Sequence, residues 1–325
     1  MNTVTEKSEI LFLYETKYNI PNGDPFTGEP RYDEETKKAL VSDVRLKRYI
    51  RDNMYANGHP VYVINPDLDN KMTSGQRFKA LYDVWPDKNL SPRDFALTLT
   101  DVRMFGGVMA IQQDKKTKGK GKKNDETGDT SDETNVTDGN VGAFNVTGPI
   151  QFAILNPSLN SVNMMMNQRT SVLVSKEGNE QGSIATRYLI PYTIMQAHAW
   201  INPFNAKITK LTQDDVTLMF RSLWNEINSK NTTSKTDQSS LLILQIVYKD
   251  PNDKLYGADR FVKIRSATKQ EEQLRSLEDF EFDWSALKTA LDSPKVQALR
   301  YYTEIESIES ELKGFGSTKI EKLKL

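Results

Sequence analysis

The sequence predicts an α+β protein with a ferredoxin-like core interrupted by two long insertions. Three observations carry this. Ser8–Thr16 (SEILFLYET) and Leu241–Tyr248 (LLILQIVY) are apolar on both faces, as buried central strands are. Thr212–Asn228 repeats apolar residues at helical spacing. With the insertions taken out, the order is strand, helix, strand, strand, helix, strand, the split βαβ arrangement also used by RNA-recognition domains.

Taken in chain order, the first strand alternates Ile10, Phe12 and Tyr14 on one face with Leu11 and Leu13 on the other. Pro21, Asn22, Gly23, Asp24 and Pro25 form a turn cluster. A helix entered at Ser42 follows. Val41, Val44, Ile50 and Met54 are its expected buried stripe, and Arg45, Arg48 and Arg51 lie along another side. Residues 71–100 carry short helical patterns broken by Pro86 and Pro92. Residues 114–140 hold six lysines in DKKTKGKGKK and then five acids in NDETGDTSDET, with no apolar residue between Gln113 and Val136. Such a segment cannot form a core and is expected to be a flexible loop.

Thr147–Leu155 (TGPIQFAIL) and Tyr188–Ile201 (YLIPYTIMQAHAWI) read as strands. The polar, Met-rich stretch between them is too long for a tight turn and is expected to project from the body. In the clearest helix, Val216, Met219, Phe220, Leu223, Trp224 and Ile227 share one face, and Thr212 with Asp215 forms a capping pair. Val296, Leu299, Ile305, Ile308 and Leu312 mark a last helix ending at Gly314. The core is thus expected at about 8–54, 145–155 and 188–250, the insertions at about 55–144 and 156–187, and an extension at 251–325.

Composition narrows the function. A net charge of −1, from 43 basic and 44 acidic residues, excludes a uniformly basic polyanion binder; any nucleic-acid contact must come from charge gathered on one face. With no cysteine there is no disulfide framework and no thiolate metal site, which suits a reducing cytoplasm. MNTVTEKSEI lacks the basic and apolar regions of a signal peptide, and no apolar run approaches the roughly 20 residues of a membrane span, so no membrane partner is expected. His59 and His198, the only histidines, lack metal-ligand spacing, and neither HExxH nor GxxxxGK[ST] occurs. No metal or other cofactor is expected.

Charge does gather in one place. Between Thr36 and Arg51 there are six basic residues and one acid, Asp43. Such a helix is either an ordinary solvated face or a surface that holds phosphates. Arg45 and Lys47 sit about 200° apart on a helix, so the cations cannot all serve one surface.

The opening strand, the loop PNGDP and the helix DVRLKRYIRD resemble the CRISPR-associated Cas seven proteins, backbone subunits of the type I surveillance complex Cascade, type I-B foremost and type I-C next. DVRMFGGVMA (Asp101–Ala110) resembles that family's DVR-x-FG segment. VTGPIQF (Val146–Phe152) and IPYTIMQAHAWI (Ile190–Ile201) resemble two further blocks, in the right order. The resemblance covers roughly residues 8–250; the tail from Pro251 carries no recognised motif.

The resemblance implies a single hand-shaped domain: an RNA-recognition-like palm, fingers inserted after the first helix, and a thumb between the middle strands. It further implies copies stacked in a helical filament on one guide RNA (crRNA) within Cascade, beside its other subunits. The guide, not the protein, pairs with target DNA, and the subunit is no nuclease. On that reading Arg45, Lys47, Arg48 and Arg51 grip guide phosphates. Gly106 and Gly107 let backbone approach the RNA, and Arg103 is either a ligand or an internal ion-pair partner. Met164, Met165, Met166, Gln168 and Arg169 pack against splayed bases from the thumb. Lys115, Lys116, Lys118, Lys120, Lys122 and Lys123 touch target DNA through charge. Two rival readings stay open: a ribonuclease using Asp24 or Asp33, both also ordinary turn formers, and an RNA-recognition-like module that builds no filament.

Overall fold

A computed structural model describes residues 2–66, 69–109, 143–170 and 184–325. The expected flexible loop 114–140, with its six lysines, lies outside the described residues. The chain begins with strand β1 (Ser8–Asn19), then β2 (Tyr32–Asp33), β3 (Lys38–Ser42) and helix α1 (Asp43–Ala56). Helices α2 (Ser74–Val84), α3 (Pro92–Thr98) and α4 (Thr100–Phe105) follow, then strands β4 (Gly106–Met109), β5 (Phe144–Thr147), β6 (Ile150–Phe152), β7 (Leu155–Pro157), β8 (Met165–Thr170) and β9 (Ile184–Ile201). Next come α5 (Pro203–Thr209), α6 (Gln213–Ser229), β10 (Gln238–Tyr248), β11 (Lys263–Arg265), β12 (Glu281–Asp283), α7 (Ser285–Leu291), β13 (Val296–Tyr302), α8 (Glu306–Lys313) and β14 (Ile320–Lys322).

The main sheet runs β14-β13-β10-β1-β9-β6. All its neighbours are antiparallel except β13 and β14. β1 is central, and its two apolar faces serve two cores. Ile10, Phe12 and Tyr14 pack with Leu46, Tyr49 and Ile50 of α1 and Phe220, Leu223 and Trp224 of α6. Leu11 and Leu13 pack on the other side with Leu274, Trp284, Leu287, Leu299 and Leu312. Fully burying such a side chain is worth about 1.5–3 kcal/mol, so a strand apolar on both faces settles in mid-sheet.

The C-terminal extension therefore supplies the layer that buries the second face of the sheet. RNA-recognition domains stack bases on that open face; here it is closed. The extension also departs from the expected last helix. Val296 and Leu299 lie in β13, which adds to the free edge of β10, and only Ile308 and Leu312 are helical, in α8. An unpaired sheet edge offers backbone partners that outweigh a helical pattern one turn long.

In α1, Ser42 caps the helix by accepting a hydrogen bond from Arg45 N at 3.3 Å. Leu46, Tyr49, Ile50 and Met54 form the buried side. Val44, expected in that stripe, is 69 % exposed. At the second helical position it points away from the side that Leu46, Tyr49 and Ile50 define. In α6 every expected apolar residue is buried, joined by Asp215, Ser222 and Glu226, and the Thr212–Asp215 capping box forms in both directions.

Two features stand off the main sheet. Tyr62, Phe78, Phe95, Leu99, Val102, Met109 and Val146 make a third core, knit by an edge-to-face Phe78–Phe95 pair at 5.3 Å. β1 ends its pairing with β9 at Asn19↔Ile190, and beyond it β9 pairs with β8, from Met165↔Leu189 to Thr170↔Ile184. A two-stranded ribbon thus runs past the end of β1.

Candidate nucleic-acid interface

The basic residues of α1 divide by environment. Arg51 is 8 % exposed; its Nε donates to Asp101 Oδ2 at 2.9 Å, and its guanidinium lies 5.2 Å from the Phe105 ring centre. Lys47 donates to Asp43 Oδ2 at 3.1 Å and Gln151 Oε1 at 3.3 Å. Arg48 is exposed and pairs with Asp52, which also accepts from Lys230 at 3.0 Å. Arg45 differs from all of these. It stacks on Tyr49, 4.0 Å from ring centre, and its Nε and Nη2 are buried with no hydrogen-bond partner.

Arg51 belongs to a clamp centred on the DVR motif. Asp101 is fully buried and also accepts from Tyr62 N at 2.7 Å and Val63 N at 2.9 Å. Two residues on, Arg103 makes a bidentate pair with Asp215 at 2.7 and 2.9 Å and donates to the carbonyls of Leu97 and Thr98. The motif therefore bolts α4 to α1 and to α6. Arg51, expected at RNA, and Arg103, for which an internal ion pair was one of two expectations, are both committed to buried carboxylates. Burial pushes the Asp215 carboxyl up, but the bonds from Arg103 and Thr212 outweigh it and hold it below the ordinary aspartate value of 3.8. Folding thus favours its ionised form. That stability is fully present above the ordinary value and is lost as pH falls below it. Asp215→Asn should flatten the fall in stability as pH drops below about 4, read from urea melts at stepped pH.

Gly106 closes α4 at φ 74°, ψ −169°, a conformation open essentially to glycine alone. A Cβ there would sit 2.1 Å from the Val146 carbonyl oxygen, and one on Gly148 would sit 2.0 Å from the Phe105 carbonyl carbon. The two glycines let the chain at 105–106 cross the chain at 146–148 in direct backbone contact. Gly107 is different: it is partly exposed, and a Cβ there would meet only side chains, at 3.7–4.0 Å.

Arg45, which no carboxylate among the described residues pairs with, sits beside a second such cation. The ammonium of Lys235, in the loop before β10, donates to Ser234 Oγ at 3.3 Å and to no carboxylate among the described residues. Burial, with Arg45 and Lys230 nearby, brings its ammonium down to about 8. Lys230 is neutralised by Glu226 and Asp52, whereas no carboxylate among the described residues pairs with Lys235. The Tyr14 hydroxyl, within the field of Arg45, is also buried without a partner. Lys235, Ser234, Thr186, the exposed Arg187 and the loop residues Gly23, Thr27, Gly28 and Glu29 line one cavity of about 360 Å³, so two cations face one carboxylate there, and no ion pair joins Glu29 to Lys235. Two partly desolvated cations that pair with no carboxylate among the described residues are costly unless a ligand supplies the charge. Phosphate oxygens fit that demand. Sequence reasoning found Arg45 but missed Lys235 and Arg187. The Arg45–Tyr49 spacing of four was a legible stacking signal; nothing in KNTTSKTDQSS marks Lys235.

The remaining candidates are placed as follows. Met165 and Met166 are 40 % and 57 % exposed on the ribbon, with Gln168 and Arg169 also exposed, while Met164 packs against the first core. Asp24 accepts from Phe26 N at 2.9 Å and Thr27 N at 3.3 Å and pairs with Arg31. Asp33 accepts from Glu35 N and from Thr36 Oγ1 at 2.6 Å. Each carboxylate closes its own turn. His198 lies 3.0 Å from the buried Glu9, which also accepts from Tyr248. Among the described residues no cluster of three His, Cys, Asp or Glu side chains could hold a metal.

The basic cavity, the ribbon and the clamped third core make a nucleic-acid-binding α+β protein the class this architecture suits. Residues 6–285 match the family model described as CRISPR-associated protein Cas7. A CRISPR-associated protein Cas7 of Haloferax volcanii is 31 % identical over 310 residues, covering 89 % of this chain and 84 % of that one. The chain belongs to the Cas7 family. Its fold is similar to that of a chain from a CRISPR RNA-guided surveillance complex, with TM-score 0.52, 14 % identity, and 98 % and 95 % of the two chains covered. A second such chain, from a complex described as pre-nicking, gives TM-score 0.50, 12 % identity, and 98 % and 96 % coverage.

Proposed function

We propose that this chain is a non-catalytic crRNA-binding backbone subunit of a type I CRISPR surveillance complex, Cascade. Copies oligomerise along the guide, alongside other Cascade subunits in the cytoplasm, and present it for pairing with target DNA. The observation that carries the reading is the partly desolvated pair Arg45 and Lys235, with no carboxylate among the described residues bonded to either, the lysine lining a cavity with Arg187 and Glu29. Family membership gives the biological setting.

The hand-shaped division follows from the same reading. The β10-β1-β9-β6 order with α1 and α6 packed on one face supports a ferredoxin-like palm at about 8–54, 145–155 and 188–250. The third core supports fingers within 55–144, and the β8–β9 ribbon supports a thumb within 156–187, its methionines meeting bases. Residues 251–325 are the C-terminal extension. Arg45, with the missed Lys235 and Arg187, holds phosphate, while Lys47 and Arg48, paired with Asp43 and Asp52, contribute less. Arg51, Arg103 and Gly106 position that surface rather than touch RNA, and Gly107 is the glycine left able to approach it. Lys115 to Lys123 meet target DNA. Asp24 and Asp33 are spent on their own turns, which disfavours the ribonuclease reading. Among the described residues no helix is long and apolar enough to cross a membrane.

The test is binding of a guide-length RNA over a salt series. Arg45→Ala with Lys235→Ala should weaken binding by on the order of tenfold per lost contact and reduce the salt slope by about 0.7 for each phosphate released. Wild-type protein should also take up protons on binding near pH 8.5, as phosphate restores the Lys235 ammonium, and Lys235→Ala should abolish that uptake. Unchanged affinity and slope in the double variant would overturn the assignment.

A further inference from the structure

Phe26 is 96 % exposed, the most exposed large apolar side chain among the described residues. Its loop is firmly built. Asp24 N donates to Glu29 O at 2.8 Å, Gly28 N to Asp24 O at 2.9 Å and Arg31 N to Asn22 O at 2.8 Å. The Asp24 carboxylate holds the backbone N–H of Phe26 itself. Gly28 takes the positive φ of 72° that the turn requires. The ring is therefore held out in water by a fastened hairpin.

The loop's inner side supplies Gly23, Thr27, Gly28 and Glu29 to the cavity that holds Lys235 and Arg187, leaving one more cation than carboxylate in its lining. An aromatic face one residue from a cationic cavity is the pairing that single-stranded nucleic acid needs: phosphate over the cations, base on the ring. Charge complementarity with the cavity selects nucleic acid over an apolar protein surface as occupant.

We propose that Phe26 is a stacking platform for one unpaired nucleobase of the bound strand, whose adjoining phosphate enters the Lys235–Arg187 cavity. The site is indifferent to base identity, because every base offers a π-face. This rests on the RNA-binding reading above.

The experiment uses the full chain with a guide-length RNA carrying 5-iodouridine at successive positions, irradiated and mapped by mass spectrometry. Wild-type protein should cross-link at Phe26. Phe26→Leu should lose that cross-link and bind about 5- to 150-fold more weakly to an RNA long enough for one copy, and Phe26→Trp should restore both. Cross-links confined to other residues, with Phe26→Leu binding as wild type does, would overturn the proposal. So would a Phe26→Leu protein that binds the short RNA normally but fails to assemble on long RNA, since the ring would then face a second copy. Failure of the wild-type chain to bind any RNA would instead overturn the reading on which the proposal rests.

Discussion

Replacing Asp101 with alanine is expected to destabilise the protein by about 3–5 kcal/mol, the scale of a buried ion pair broken from one side. The carboxylate has no exposed surface and satisfies Arg51 and two backbone N–H groups at once. Alanine would strand all three partners in a site where water does not reach. Arg51, at 8 % exposure, would keep its charge with only the Phe105 ring for company. Urea unfolding monitored by tryptophan fluorescence checks this. A loss below 1 kcal/mol would mean that water enters the site and that the clamp matters little. Removing both partners, Asp101→Leu with Arg51→Met, should recover part of the loss, because paired apolar groups leave no buried charge behind.

Gly148→Ala and Gly106→Ala should each be nearly as damaging, through sterics rather than charge. At Gly148 the new methyl would overlap the backbone of Phe105 and Gly106, and backbone cannot rotate away as a side chain can. Overpacking of that kind costs roughly 1–3 kcal/mol. At Gly106 a similar overlap with Val146 is joined by a backbone conformation that alanine rarely adopts, on the order of a further 1–3 kcal/mol. Gly107→Ala, with only side-chain neighbours, should be within about 1 kcal/mol of wild type and serves as the control. Thermal melts of the three variants test the order. Equal losses at Gly106 and Gly107 would count against the close crossing.

These expectations rest on contacts that the linear chain does not display. Asp101 and Arg103 stood out as a motif, yet their partners lie 50 and 112 residues away. The count of basic residues around α1 was correct as arithmetic and misleading as electrostatics. Asp43 and Asp52 sit one helical turn from Lys47 and Arg48 and neutralise them. That spacing of four could have been read. The burial of Arg51 could not, since it depends on what α4 brings to the far side of α1.

Much of the frame was legible, and for a definite reason. The alternation along β1, its apolar character on both faces, the helical period of α6 and the capping pair Thr212–Asp215 are short-range properties. Period and local hydrogen bonding are written in neighbouring residues, so the strand and helix order could be read directly.

What only the tertiary structure decided is where charge is left unsatisfied and which surfaces are closed. Val296–Tyr302 became a strand because β10 offered an open edge, and the extension then covered the sheet face that sequence reasoning had no cause to exclude. Arg45 and Lys235, 190 residues apart in the chain, become neighbouring cations because folding partly desolvates both, and no carboxylate among the described residues pairs with either. Desolvation and pairing are properties of a point in space, summed over every element that reaches it. Local pattern determines the elements; the meeting of distant ones determines which cations remain free to hold a phosphate.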